Sequence, residues 1–198
     1  EDMRPALGVT EPGAIAYAVS KAKSYVAGEL EEVTLLLNSG MYKNAYTCGI
    51  PNSHFYGNEY AAALGVIAGK PEKELESLAD VTEADNAAAE KLVKDGKIVV
   101  KRSEITSRIF IEARVKTTAG EAVVRIRDAH TNIVRIEVNG EVILEKEEAP
   151  AKLKEAAENY LETVNDGKTN GTATEALIAE LEKVADKCEH CASILENK

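Results

Sequence analysis

The sequence predicts an α+β fold: helices packed on an antiparallel sheet of about four strands, followed by a C-terminal helical segment. Two changes of period carry that prediction. Apolar residues recur at three- and four-residue steps through most of the chain before Lys97, then alternate with polar ones as far as Lys146. Beyond Pro150 the helical spacing returns. The domain boundaries this implies are an α+β domain over 1–148 and a helical segment over 149–198.

Taken in order, residues 12–27 read as a helix, because Ile15, Val19, Ala22 and Val26 share one face and Gly28 follows as a stop. "EVTLLLN" (32–38) is a short β-rich run, and "SGMYKNAYTCGIPNSHFYGN" (39–58) reads as a long structureless connection. Ordered loops of that length are more often functional than idle. "EYAAALGVIAGK" is an Ala-rich helix that must pack closely against a neighbour. "KPEKELESLADVTEADNAAAEKLVKDGK" predicts two further amphipathic helices, the second capped by Thr82 and stopped by Gly96. "KIVVKR", "RIFIEARVKT", "EAVVRIRDA" and "NIVRIEVNGEVILEK" are the four alternating runs. Ala119-Gly120 and Asn139-Gly140 mark turns between strands. Two helical stretches, 151–165 and 173–195, are separated by the polar "NDGKTNGT".

Composition narrows the function classes. A chain of 198 residues can bury a real core, made here of small aliphatics, since there is no Trp and only two Phe. The formal charge of −10 speaks against nucleic acid and against anionic membrane surfaces. No apolar run approaches the roughly 20 residues of a transmembrane helix, and no signal-peptide pattern opens the chain. Three cysteines make no disulfide framework, so a reducing cytoplasm is the expected compartment. The chain opens at Glu1 without Met, which predicts residues lost at the front.

Four groups of residues could carry chemistry. His130, beside Thr131 and Asn132, falls at a break between two alternating runs. An imidazole there could move a proton or ligate a metal, and its neighbours could hydrogen-bond a small polar substrate. The same stretch also makes an ordinary tight turn, with Asn132 tolerating a left-handed conformation. In the 39–58 connection, Lys43 and Asn44 offer a cation and an amide to a small carboxylate, with Cys48 nearby. The other reading is a polar surface loop with an inert buried thiol, and His54 carries little weight. Cys188-Glu-His-Cys191 has half the ligands of a tetrahedral zinc site and no second pair, so no metal site is assigned. Thr10-Glu11-Pro12 is a helix start, with Thr10 as N-cap, and its unpaired N–H groups could also receive an anion.

Together, "PALGVTEPGAIAYAV", "KNAYTCGIP…YGNEYAAALGVIAGKPEKELE" and "HTNIVRIEVNGEVI" resemble the L-cysteine desulfidase group of the iron–sulfur serine dehydratase-like proteins. The matches fall in the family's order and extend over roughly residues 4 to 145. The resemblance implies a lyase that eliminates hydrogen sulfide or water, with ammonia, from an amino acid to give pyruvate. It implies an iron–sulfur cluster and no pyridoxal phosphate. It implies a substrate site lined by Thr10, Glu11, Lys43, Asn44, Thr131 and Asn132, with His130 as the proton-transfer residue. The family's first motif has Cys where this chain has Val9, and Asn52-Ser53 replaces the family's Gly-Thr. The family's cluster ligands lie in a C-terminal half that this sequence does not match, so a second chain or half carrying the cluster is the implied partner. A non-catalytic amino-acid binding module is the alternative, and a structural or assembly domain is a third.

Overall fold

The computed structural model describes residues 10–146 except 106, together with the isolated helical positions Thr174, Leu177 and Ala179. Val9, the expected helices over 151–165 and 173–195, and Cys188, His190 and Cys191 lie outside the described residues. The chain divides into two compact units, Glu1–Lys146 and Glu147–Lys198, and the sheet with its covering helices belongs to the first.

The elements of that unit run α1 (Thr10–Lys23), β1 (Leu30–Leu37), α2 (Ser39–Tyr46), α3 (Asn58–Ala68), a 3-10 segment (Pro71–Glu76) and α4 (Glu83–Lys94). The strands β2 (Ile98–Arg102), β3 (Phe110–Thr117), β4 (Gly120–Arg127), β5 (Ile133–Val138) and β6 (Glu141–Glu145) come after them. The α+β class stands, but the sheet has six strands in the order β2-β1-β3-β4-β5-β6. It is mixed rather than antiparallel, because β1 pairs with β2 in parallel, Val33 opposite Ile98 through Leu37 opposite Arg102. The run after Asn132 also holds two strands, folded at Asn139 (φ 52°) and Gly140 (φ 84°). Positive φ at both central residues is what a type I′ hairpin turn requires.

Two further expectations are corrected. The 39–58 connection contains α2, whose buried residues are Met41 and Ala45, one turn apart, with Tyr42 half-buried against the core. A stripe of two residues is too short for periodicity to reveal. The first of the two helices expected after residue 70 is instead a 3-10 segment broken at Glu74, which has φ 48°. Packing overrides helix propensity here. A side chain at Gly13 of α1 would stand 2.6 Å from the Leu75 carbonyl oxygen, so the segment lies directly against the helix. α4 forms as expected, with Thr82 and Asp85 making a reciprocal capping box.

The helices cover one face of the sheet. α1 is buried without interruption from Pro12 to Ser20, as a central helix should be. It packs on α3, β3 and β4. Ile111, Ala113 and Val115 of β3 and Ala122, Val124 and Ile126 of β4 are fully buried on alternate positions. The intervening positions carry cross-strand ion pairs, Glu112 with Arg125 at 2.6 Å and Arg114 with Glu121 at 2.6 Å. α1 and α3 approach closely because small residues line both, Ala14, Ala16 and Ala18 against Ala61, Ala62 and Gly65.

Candidate functional site

Three segments far apart in sequence meet at the start of α1. Thr10 is helical and is the first described residue of α1, and Glu11 follows with its carboxylate in the first turn described, where negative charge is favoured. Pro12 needs no N–H in a first turn. From the β4–β5 turn, His130 brings Nε2 to 3.4 Å from Thr10 Oγ1, across 120 residues of chain. From α2, the Asn44 amide donates to Glu11 Oε1 at 3.4 Å, while Thr10 Oγ1 donates to Glu11 Oε2 at 3.3 Å. With the hydroxyl proton on Glu11, Thr10 accepts from the imidazole, so Nε2 carries the hydrogen in that arrangement. The row imidazole–hydroxyl–carboxylate is a path along which a proton can be taken up or released. All three contacts are longer than an ordinary bond of about 2.8 Å, so a ligand can take these groups over at small cost.

The turn that presents His130 is built by local hydrogen bonds. Asp128 adopts φ 66° and donates its N–H to the Ile109 carbonyl at 3.0 Å. The left-handed residue is therefore Asp128, not Asn132. Asn132 fastens the turn: its Nδ2 donates to the Arg127 carbonyl at 3.0 Å and its Oδ1 accepts from Lys146 Nζ at 2.9 Å. Both ends of that amide are engaged with the chain itself. Thr131 is half-buried beside them, and its carbonyl accepts from Ile133 N at 3.0 Å. Lys43 neighbours Asn44 on α2, is exposed, and makes no hydrogen bond or ion pair among the described residues.

Cys48, which the sequence offers either as a member of the polar set around Lys43 and Asn44 or as an inert buried thiol, stands beside this site. It is half-buried, and its Sγ–H donates to the Asn44 carbonyl at 2.9 Å. Burial, and then the Glu11 carboxylate, push its thiol above the ordinary cysteine range. The loop behind it is pinned rather than loose. Gly57 N donates to the Cys48 carbonyl at 3.2 Å, and Asn52, at φ 56°, donates Nδ2 to the carbonyls of Leu78 and Ala79. Ser53 is hydrogen-bonded to Asn86 of α4, so the Asn52-Ser53 pair anchors the loop instead of facing the site.

An iron–sulfur cluster requires several thiolate ligands. Cys48 is the cysteine among the described residues, and no group of three or more His, Cys, Asp or Glu side chains there could hold a metal ion. The described residues therefore do not fit a cluster. No described helix is long and apolar enough to cross a membrane.

Comparison with known proteins gives relatives that carry no stated activity. Over 147 residues, 74% of this chain, the sequence is 35% identical to a UPF0597 protein of Clostridium botulinum strain Okra / Type B1. It is 35% identical over the same length to a UPF0597 protein of strain Hall, and 33% identical to another from that strain. Each match covers 34% of the relative, so the chain spans about a third of the length of the curated relatives it matches. No family model matches the chain, and no solved structure matches it.

Proposed function

We propose that the unit 1–146 is the amino-acid-binding part of a lyase that performs β-elimination, incomplete without further polypeptide. The observation that carries this reading is the approach of His130 to Thr10 and Glu11 at 3.4 and 3.3 Å steps, from segments 120 residues apart. The acceptor-rich mouth of α1, with the Glu11 carboxylate and the Thr10 hydroxyl, suits a substrate ammonium better than an anion. Lys43 and the Asn44 amide, beside it on α2, supply donors for a substrate carboxylate. His130 takes the Cα proton. The electron pair forms the Cα–Cβ double bond, sulfide or hydroxide leaves, and the enamine product loses ammonia in water to give pyruvate. Asn132 holds the turn that aims the imidazole. The iron–sulfur cluster that the family resemblance implies would be held by residues outside those described, on this chain or on a second one, and no step above passes through it.

The test is anaerobic reconstitution with iron and sulfide, followed by pyruvate release from L-cysteine and L-serine. It is run on this chain alone and on a mixture with a cysteine-rich partner half. Pyruvate is expected with the partner and the cluster, and His130→Ala is expected to lower kcat at least about 100-fold while amino-acid binding survives. Absence of pyruvate in every mixture would sink the lyase reading. Val9, where the family has Cys, favours a second reading, a binding domain without catalysis. That reading expects L-cysteine or L-serine to bind with no turnover.

A further inference from the structure

Tyr42 and Tyr46 of α2 line a cleft of about 250 Å³ together with Phe55, Tyr56 and Tyr60, and Asn58 and Glu59 also line it. The chain has seven Tyr and two Phe, so five of its nine aromatic rings gather here. The rings are ordered in pairs. Phe55 and Tyr60 stack with centroids 4.0 Å apart, and Tyr42 and Tyr46 stack at 6.4 Å. Two of them are left open to solvent, Tyr46 at 61% and Tyr56 at 67% exposure.

The polar groups of the cleft have a sign. Asn58 is 3% exposed; its Nδ2 donates to the Tyr42 carbonyl at 3.0 Å, while its Oδ1 is buried without a hydrogen-bond partner. A buried acceptor of that kind calls for a donor. Phenol faces carry negative potential, and the Glu59 carboxylate stands in the first turn of α3. Glu59 also supplies the negative charge that a helix N-terminus favours, so the uncapped first turn does not call for an anionic ligand. Lys94, the cation near Tyr60, is paired with Glu90 at 2.7 Å.

We propose that this aromatic cleft is a second binding site, and that it takes a small organic cation bearing N–H donors, of the alkylammonium class. The rings hold the charge, and a small shift of the side chains over the buried Asn58 amide lets its oxygen take a donor. The volume suits a ligand of a few heavy atoms. Tyr42 and Tyr46 share α2 with Lys43 and Asn44, so occupancy of the cleft bears on the element that carries both.

The test is an NMR titration of the intact chain with propylammonium and, in parallel, propyltrimethylammonium, which has the same charge and tail but no N–H. Propylammonium is expected to shift the ring signals of Tyr46 and Tyr56 saturably and to bind about fivefold or more tighter than its trimethyl counterpart. Tyr46→Leu and Tyr56→Leu change exposed rings, so the fold is kept, and each is expected to weaken binding about threefold to tenfold. No saturable shift at these rings, equal binding of the two ions, or binding unchanged in both variants would each overturn the proposal.

Discussion

Cys48 shows how one neighbour sets the reactivity of a side chain. Its thiol is held in the neutral form first by burial and then by the Glu11 carboxylate, so at neutral pH it is a weak nucleophile. Removing the charge removes the smaller of those two causes. Glu11→Gln is therefore expected to raise the rate of Cys48 alkylation by iodoacetamide at pH 7 severalfold, read by peptide mass mapping. An unchanged rate would mean that burial alone governs the thiol. Asp80 shows the opposite sign at the surface. Lys70 and Lys73 reach its Oδ2 at 2.6 and 2.7 Å and hold its carboxyl down to about 2, from an ordinary 3.8. A depressed carboxyl stabilises the fold above its ordinary value, and that contribution disappears as the pH falls from about 4 to about 2. The group is exposed, so the effect on stability is small. In Lys70→Ala/Lys73→Ala the Asp80 carboxyl is expected to titrate back toward 3.8, followed by its NMR shift against pH. At this scale the sequence reads well where chemistry and local geometry coincide. Thr10, Glu11, Asn44 and His130 are legible because a cap, a polar connection and a broken strand pattern are all visible in one dimension. Cys48 is visible as a candidate, but its choice between site thiol and inert thiol stays open in one dimension, because that depends on Glu11, which is 37 positions away in the chain and near it only after folding.

Elements whose identity comes from packing are the ones the sequence hides. α2 buries only Met41 and Ala45, and the 3-10 segment is broken at Glu74 and lies against Gly13 of α1. By contrast α4, with its Thr82–Asp85 box, and the β5–β6 hairpin, with its Asn-Gly turn, are written locally and legible from the residues alone. The parallel pairing of β1 with β2 is illegible for a different reason, since alternation gives the face of a strand and not its partner. The contact between α1 and α3 is the element-scale feature with the sharpest test. A methyl group on Gly65 would stand 2.8 Å from Ala16 Cα and 2.9 Å from its carbonyl oxygen, both backbone atoms that cannot step aside. Alanine favours a helix over glycine by about 1 kcal/mol, but overpacking against backbone outweighs that gain. Gly65→Ala is expected to lose about 2 kcal/mol, seen as a lower urea midpoint at constant m-value. A stabilised variant would mean that the two helices can move apart freely.

At the scale of the whole molecule, the unit Glu1–Lys146 contains a buried apolar core that runs from Ala14 to Ile136. A chain cut after Lys146 is therefore expected to keep one cooperative unfolding transition and its helix and sheet circular dichroism. Loss of cooperativity in that fragment would show that residues 147–198 complete its core. The order of the strands also has a consequence for synthesis. β1 is finished at Leu37, yet its parallel partner begins at Ile98 and its antiparallel partner at Phe110. A ribosome adding about 5 to 20 residues per second leaves that strand waiting for several seconds. During that interval Val33, Leu35 and Leu37 have no sheet to join, and the nascent chain offers a short apolar strand to any holdase that patrols the exit tunnel.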